Sequence, residues 1–271
     1  MTPPLPDLPT GWSWTSRDGL VLLRADVLAA AGVCHAFTTR PGGASRPPFD
    51  ALNLSRGVGD DDAVVRANRA KVLAALGRDL ADHVEVAQVH GRDVVVATAP
   101  DRGRTAGRAD GLTSAEPRAV LAVHCADCVP VLLWDRRRGA AAAVHAGWRG
   151  VAAGVVPAAV ATMCAAFGTR PEHVVAAIGP AIGPCCYEVD GPVVERFAPW
   201  SWRGAVFSPR RPGRWSLDLW EATRRQLHDA GLAPEAVVVA GMCTAHHPAL
   251  FFSHRRDGRT GHMAALIAPR G

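Results

Sequence analysis

Aromatic side chains are scarce in this 271-residue chain, at 6%, with Tyr187 as the single tyrosine. The net charge is +5, yet the basic residues are scattered. They run together only briefly, at Arg136-Arg137-Arg138, from Arg210 to Arg214 and at Arg255-Arg256, and no aromatics interleave with these runs. A nucleic-acid platform needs a denser basic face with stacking rings, so no nucleic-acid partner is expected. A modest positive field suits a small anion such as phosphate instead. Long apolar runs are also missing. The nearest, Gly150 to Phe167, contains small residues and a proline, and no membrane partner is expected. The opening Met1-Thr2-Pro3-Pro4 has no basic start followed by an apolar stretch, unlike a signal peptide. The seven cysteines (Cys34, Cys125, Cys128, Cys164, Cys185, Cys186 and Cys243) are odd in number and thinly spread, which excludes a disulfide scaffold. The expectation is a soluble cytoplasmic protein with reduced thiols. Internal repeats and long linkers are absent as well.

What is present is ample apolar material, 48% of residues, enough to bury a core. Residues 1–17 are proline-rich and polar and read as a loose lead-in to one domain over 18–271. Asp60-Asp61-Asp62 places acidic residues at the start of a helix reaching about Leu76, with apolar positions at helical spacing. Further helices are expected from about Arg149 to Phe167 and from Leu217 to Ala230. Strands are expected near 19–24, 33–37, 85–89, 94–98, 119–123, 129–134, 140–144, 173–178, 237–240, 250–253 and 263–267, and a loop over 103–111. Strands and helices partly alternate, so the fold class is α/β, or α+β, with a mixed sheet and flanking helices.

Three residues carry the chemistry. His90 lies in Gln88-Val89-His90-Gly91, Cys128 in Cys125-Ala126-Asp127-Cys128-Val129-Pro130, and His145 in Val144-His145-Ala146-Gly147-Trp148-Arg149-Gly150. Two imidazoles and a thiolate are usual ligands of a tetrahedral zinc ion with one open position. A thiolate beside histidine is also the core of a nucleophilic cysteine site. The C-x-x-C pair has no second C-x-x-C to complete a structural zinc site, and Pro130 with the apolar run after it reads as strand, unlike a redox motif at a helix start. One of the two cysteines is then functional. Asp127 either orients a neighbour or caps its own turn. Arg40, beside a glycine loop, would bind anion if it faced the cleft. A helix opening near Arg149 directs free N–H groups to the same space. Tyr187 lies in a glycine-rich stretch that reads as a site-lining loop. His246-His247 and His254 extend the site or decorate the surface.

With these stretches the chain resembles the laccase-domain family, also called YfiH-like or multicopper polyphenol oxidase-like. The resemblance runs through Thr38 to Ser45, Leu52-Asn53-Leu54-Ser55, Asn68-Arg69, Gln88 to Gly91, Ala109-Asp110-Gly111-Leu112, Ala126 to Val131 and Val144 to Gly150. It continues through Ile178-Gly179-Pro180, Cys186-Tyr187-Glu188-Val189, Leu217-Asp218-Leu219, Cys243-Thr244 and Phe252 to Asp257. It implies a single laccase-domain fold with zinc on His90, Cys128 and His145, which are catalytic together with Asp127. Substrate would be bound by Arg40, Asn53, Arg149, Tyr187 and His262, where His262 stands in place of the arginine usual after Thr-Gly. The implied activity is zinc-dependent purine nucleoside phosphorolysis with adenosine deamination. Adenosine, inosine, guanosine or methylthioadenosine with phosphate would yield free base and sugar-1-phosphate. The enzyme would work as a monomer or small homo-oligomer. One branch of the family is described as a peptidoglycan editing factor, so a Cys128/His145 amidase acting on wrongly substituted precursors is the alternative. A copper polyphenol oxidase ranks lower, because the chain has no His-x-His pair. A metal-stabilised binding module without catalysis is the remaining reading.

Overall fold

The computed structural model describes residues 4–270. Its strands form three sheets. The first has the spatial order β1 (Trp12–Arg17), β2 (Leu20–Ala25), β3 (His35–Thr38), β16 (Met263–Ile267), β8 (Val120–Cys125), β4 (His83–Ala87) and β6 (Arg104–Arg108). The second runs β15 (Val237–Val239), β11 (Val174–Ile178), β9 (Val129–Asp135), β10 (Ala141–Ala146), β7 (Gly111–Ser114) and β5 (Val94–Val96). A small third sheet joins β12 (Glu188–Asp190), β14 (Arg214–Leu217) and β13 (Phe207–Arg211). Both large sheets mix parallel and antiparallel pairs, as in β4 with β8 and β16 with β8. The expected mixed sheet with flanking helices is thus realised twice.

Side-chain alternation explains how the layers stack. Along β9, Val129, Val131 and Leu133 pack with Val155, Val160 and Leu227 of the helices Val155–Phe167 and Leu219–Asp229. The intervening Leu132 and Trp134 join Phe37, Leu121, Val123 and Ile267 in the core between the sheets. On the outer face of the first sheet, Val120, Ala122 and Leu266 pack with Val72 and Leu73 of the helix Asp62–Ala75. The result is a helix–sheet–sheet–helix sandwich, and strands buried on both faces read as continuous apolar runs. The same period of two sends His145 and Ala143 of β10 inward while Val144 faces the helices.

Four of the segments read from the sequence differ in the structure, and the strands β7, β12, β13 and β14 were not expected. Residues 12–17 of the expected lead-in are the edge strand β1, paired antiparallel with β2, and Trp12 is buried in the core. Asp18 and Gly19, at φ 51° and 77°, make the tight hairpin turn, so the boundary at 17/18 falls inside a hairpin. Residues 1–3 of the lead-in lie outside the described residues. The expected helix from Arg149 to Phe167 is two helices, Trp148–Ala153 and Val155–Phe167, divided at Gly154 with φ 87°. Pro157 is tolerated because it falls in the first turn of the second helix, where its missing N–H is not required. The loop over 103–111 contains the polar strand β6, and the strand expected at 250–253 is buried coil around Phe251 and Phe252.

Gly179, at the end of β11, lets the chain pass close to the buried Phe37 ring. An added Cβ would collide with that ring and meet Pro130 Cγ at 3.0 Å. Gly179→Ala is expected to lower stability by about 1–3 kcal/mol, the usual cost of overpacking. Gly204→Ala, where nothing lies within 4 Å of the added carbon, is the matched control and should be neutral or slightly stabilising. Urea unfolding midpoints of the two variants check this.

Candidate active site

His90, Cys128 and His145 converge where the two large sheets meet. His90 follows β4 of the first sheet, Cys128 links β8 to β9, and His145 ends β10. Their potential ligand atoms lie within 4.8 Å of one another, and the two imidazole rings meet edge to face at 4.9 Å. Cys128 is the member of the C-x-x-C pair that joins the cluster, and Cys125 is a buried core thiol.

The residue that arranges them is Asp110, which the sequence reading did not single out. Its fully buried carboxylate accepts the amide N–H groups of Val89, His90 and Gly91, at 3.2, 2.9 and 2.6 Å. Those bonds hold His90 in a left-handed conformation, φ 59°. The same carboxylate accepts from His145 Nδ1 at 2.9 Å, leaving the opposite ring nitrogen for the cluster. Burial opposes the Asp110 charge, but the His145 and amide hydrogen bonds hold it below the ordinary carboxylate range. Asp127, for which the sequence left open orienting a neighbour or capping its own turn, bonds neither histidine of the cluster. It sits at φ 93° and accepts Thr244 Oγ1–H at 2.6 Å and the Arg255 amide at 2.7 Å. It fixes the Cys128 turn and the segment carrying Arg255.

Burial pushes the Cys128 thiol up, but the imidazoles of His145 and His90 outweigh it and bring it down to about 6. Burial likewise lowers His145, while the Cys128 sulfur and the Asp110 carboxylate raise it to about 9. Without an ion, the pair is a thiolate and an imidazolium at neutral pH. The donor set also fits zinc: one thiolate and two imidazoles, with a carboxylate bonded to the far nitrogen of one imidazole. Gly147 completes the cradle, since a Cβ there would stand 3.0 Å from Cys128 Sγ and 3.2 Å from His90 Cδ2. The cluster could hold a metal, with its open side toward solvent at His90.

That side opens into a cavity of about 770 Å³ lined by, among others, Trp148, Arg149, Tyr187, His254, Arg255 and His262. Arg149 stacks on Trp148 at 4.4 Å and Arg255 on Tyr187 at 4.9 Å. Burial pushes the Tyr187 phenol up, so it remains an O–H donor. Burial, with His124 and His145 nearby, lowers His262 to about 3. His262 is neutral at physiological pH and does not act as the cation that an arginine there would provide. On another wall, Arg69 makes a two-pronged bond to Glu85, whose other partner is His124 Nε2 at 2.8 Å. These three residues also line the cavity and were not expected there.

Arg40 and Asn53 are placed away from the cavity lining. Arg40 donates to Asp50, lies 3.9 Å from Asp257 and stacks on Phe252. Asn53 is fully buried, donating to the Ser55 carbonyl and Asp60 and accepting from the amides of Ser55 and His262. Both act as scaffold, which corrects their expected contact with substrate. His246 sits beside Cys185 rather than with His90.

Residues 34–270 match the family described as multi-copper polyphenol oxidoreductase laccase. The chain is 40% identical over 263 residues to purine nucleoside phosphorylase YlmD of Geobacillus stearothermophilus, covering 92% of this chain and 94% of that protein. It is 38% identical over 236 residues to purine nucleoside phosphorylase YfiH of Escherichia coli K12, covering 87% and 93%. The crystal structure of YlmD from Geobacillus stearothermophilus superposes with a TM-score of 0.92 at 38% identity, over 97% of this chain and 100% of that one.

A cation entering the cluster at neutral pH must displace the His145 proton. Zinc affinity is therefore expected to be greatest above about pH 9 and to fall with decreasing pH. The fall should be about tenfold per unit, steepening below about pH 6 where the Cys128 thiol also takes up a proton. Asp110→Asn should weaken zinc about 10- to 100-fold. Competition with a chromogenic chelator across pH measures both effects.

Proposed function

The chain belongs to the multi-copper polyphenol oxidoreductase laccase family and is a purine nucleoside phosphorylase-like enzyme; from that premise we propose zinc-dependent phosphorolysis of purine nucleosides, with deamination of adenosine at the same site. The observation that carries the proposal is the His90–Cys128–His145 cluster at the edge of one cavity walled by aromatic–arginine pairs. The rings of Trp148 and Tyr187 suit the flat face of a purine. Arg149 points its charge into the same space and has no carboxylate partner among the described residues, so it is free to take phosphate.

In phosphorolysis a phosphate oxygen bonds to the anomeric carbon as the bond to the purine nitrogen breaks, and the base leaves with a proton. The chain's part is to hold phosphate and nucleoside in line and to keep the base stacked as charge develops. Arg149 bears the phosphate. Tyr187 donates its O–H, and Arg255 above its ring strengthens the positive field. His262, lowered by burial, offers a neutral ring nitrogen to sugar or base. His90, Cys128 and His145 would hold the zinc ion, which when bound would supply Lewis-acid polarisation of an oxygen and acidify water, the chemistry deamination needs. In that reaction water oxygen replaces the exocyclic amine, which leaves as ammonia.

A second reading is favoured by one observation, the metal-free thiolate–imidazolium pair of Cys128 and His145. That pair is the starting state of a cysteine amidase. It requires an active metal-free enzyme that iodoacetamide kills and zinc protects at the expense of activity.

Chromatography of adenosine and inosine incubated with zinc-loaded protein, with and without phosphate, separates these readings. Phosphate-dependent free base and sugar-1-phosphate are expected, together with phosphate-independent inosine from adenosine. Cys128→Ala should lower kcat/KM for both reactions by more than about a hundredfold. Arg149→Ala should raise KM for phosphate about 10- to 100-fold, the loss of one charge-assisted contact, with a smaller change in kcat. Untouched nucleosides with the wild-type enzyme would defeat the proposal.

A further inference from the structure

A second group of soft donors lies outside the cluster just described. Cys185, Cys186, Cys243 and His246 bring three sulfurs and an imidazole nitrogen within 4.8 Å of one another. Cys185 and Cys186 belong to the loop between β11 and β12, and Cys243 and His246 to the loop after β15. The loops are already joined by backbone: Thr244 donates to the Ala181 carbonyl at 3.0 Å, Ala181 to Met242 at 3.2 Å, and the Gly183 amide to Cys243 Sγ at 3.2 Å. Cys185 Sγ lies 3.7 Å from His246 Nδ1. A tetrahedral zinc ion with ordinary zinc–sulfur and zinc–nitrogen bonds separates such a pair by about 3.6 Å.

We propose that Cys185, Cys186, Cys243 and His246 form a second, structural zinc site of the Cys3His type. All four positions of the ion are filled by protein, so this site has no opening for substrate, unlike the three-donor cluster. Three thiolates and an imidazole select a soft, tetrahedral ion over magnesium or calcium. Cys185 and His246 are exposed, which gives the ion a path in, while Cys243 is buried and anchors it. Two cations lie nearby, and both guanidinium groups are engaged by other acceptors: Arg210 by the carbonyls of Pro184 and Cys185 and by Ser216 Oγ, Arg256 by the carbonyls of Thr244, Ala245 and Phe251 and by Asp257. The third group of ligand-type residues, His83, Glu85 and His124, differs on this point. There the Arg69 guanidinium occupies both Glu85 oxygens and takes the place an ion would need.

The second ion would pin together two loops that shape the cavity wall. Tyr187 directly follows Cys186, and Thr244, which holds Asp127, directly follows Cys243.

The test is zinc stoichiometry of the full chain by elemental analysis after equilibration with buffered zinc under reducing conditions. Two ions per chain are expected for the wild type. Cys128→Ala should retain one, Cys185→Ser with His246→Asn should retain one, and the three changes together should retain none. Cobalt in Cys128→Ala should give about three times the thiolate-to-cobalt absorption seen in the Cys185→Ser/His246→Asn protein, in line with three sulfur ligands against one. Circular dichroism of each variant establishes that its chain is folded. A wild type holding one zinc, lost entirely with Cys128→Ala, overturns the site. So does a stoichiometry unchanged by the Cys185→Ser/His246→Asn pair, a disulfide found among the three cysteines in the purified reduced protein, or a site that takes copper(I) and not zinc.

Discussion

A single buried carboxylate, that of Asp110, organises this protein's chemistry. It answers three successive amide N–H groups around His90 and the Nδ1 proton of His145 at once. A buried charge without partners is prohibitive, so the His90 turn and the end of β10 must both be in place for Asp110 to be accommodated. The arrangement couples the two positions: the backbone that delivers His90 and the ring of His145 share one carboxylate. Cys128 comes to them through backbone alone, from a turn whose left-handed Asp127 is fastened by Thr244 and Arg255.

The frame around this point is apolar and largely without charge. Strands β8, β9, β10 and β11 are buried on both faces, and their alternation assigns each residue to the inter-sheet core or to a helix-facing core. Polar chemistry is confined to strand ends, where Pro130, His145 and Gly147 replace the aliphatic pattern. The buried ion pair of Arg69 with Glu85 on the cavity wall is balanced by His124 and by the Leu54 carbonyl that accepts from Arg69 Nε. Removing either charge would leave the other stranded in a low-dielectric wall.

Much of this was legible in the chain. Continuous runs such as Val129–Trp134 and Ala140–Val144 announced buried strands, and Asp60-Asp61-Asp62 announced the helix Asp62–Ala75. The metal-type trio was recognisable from residue type and local context. Other features were legible but passed over: Asp18-Gly19 is a hairpin turn by its dipeptide, and Gly154 interrupts an otherwise helical stretch. Asp110 was harder, because nothing local to it distinguishes a buried carboxylate from a surface one. Its role depends on amides 20 residues earlier in the chain and an imidazole 35 later. Arg40 and Asn53 misled for the complementary reason. Their residue types suit substrate contact, but their partners Asp50, Asp60 and Asp257 are assembled only by the tertiary fold.

The three donors also sit astride a seam. His90 is delivered by the first sheet, His145 by the second, and Cys128 by the crossover between them. An ion held there would act as a rivet through both plates of the sandwich. It would pin one sheet against the other at this end, while at the opposite end the Arg270 amide, just beyond β16, donates to the Gly139 carbonyl of the β9–β10 hairpin at 3.0 Å.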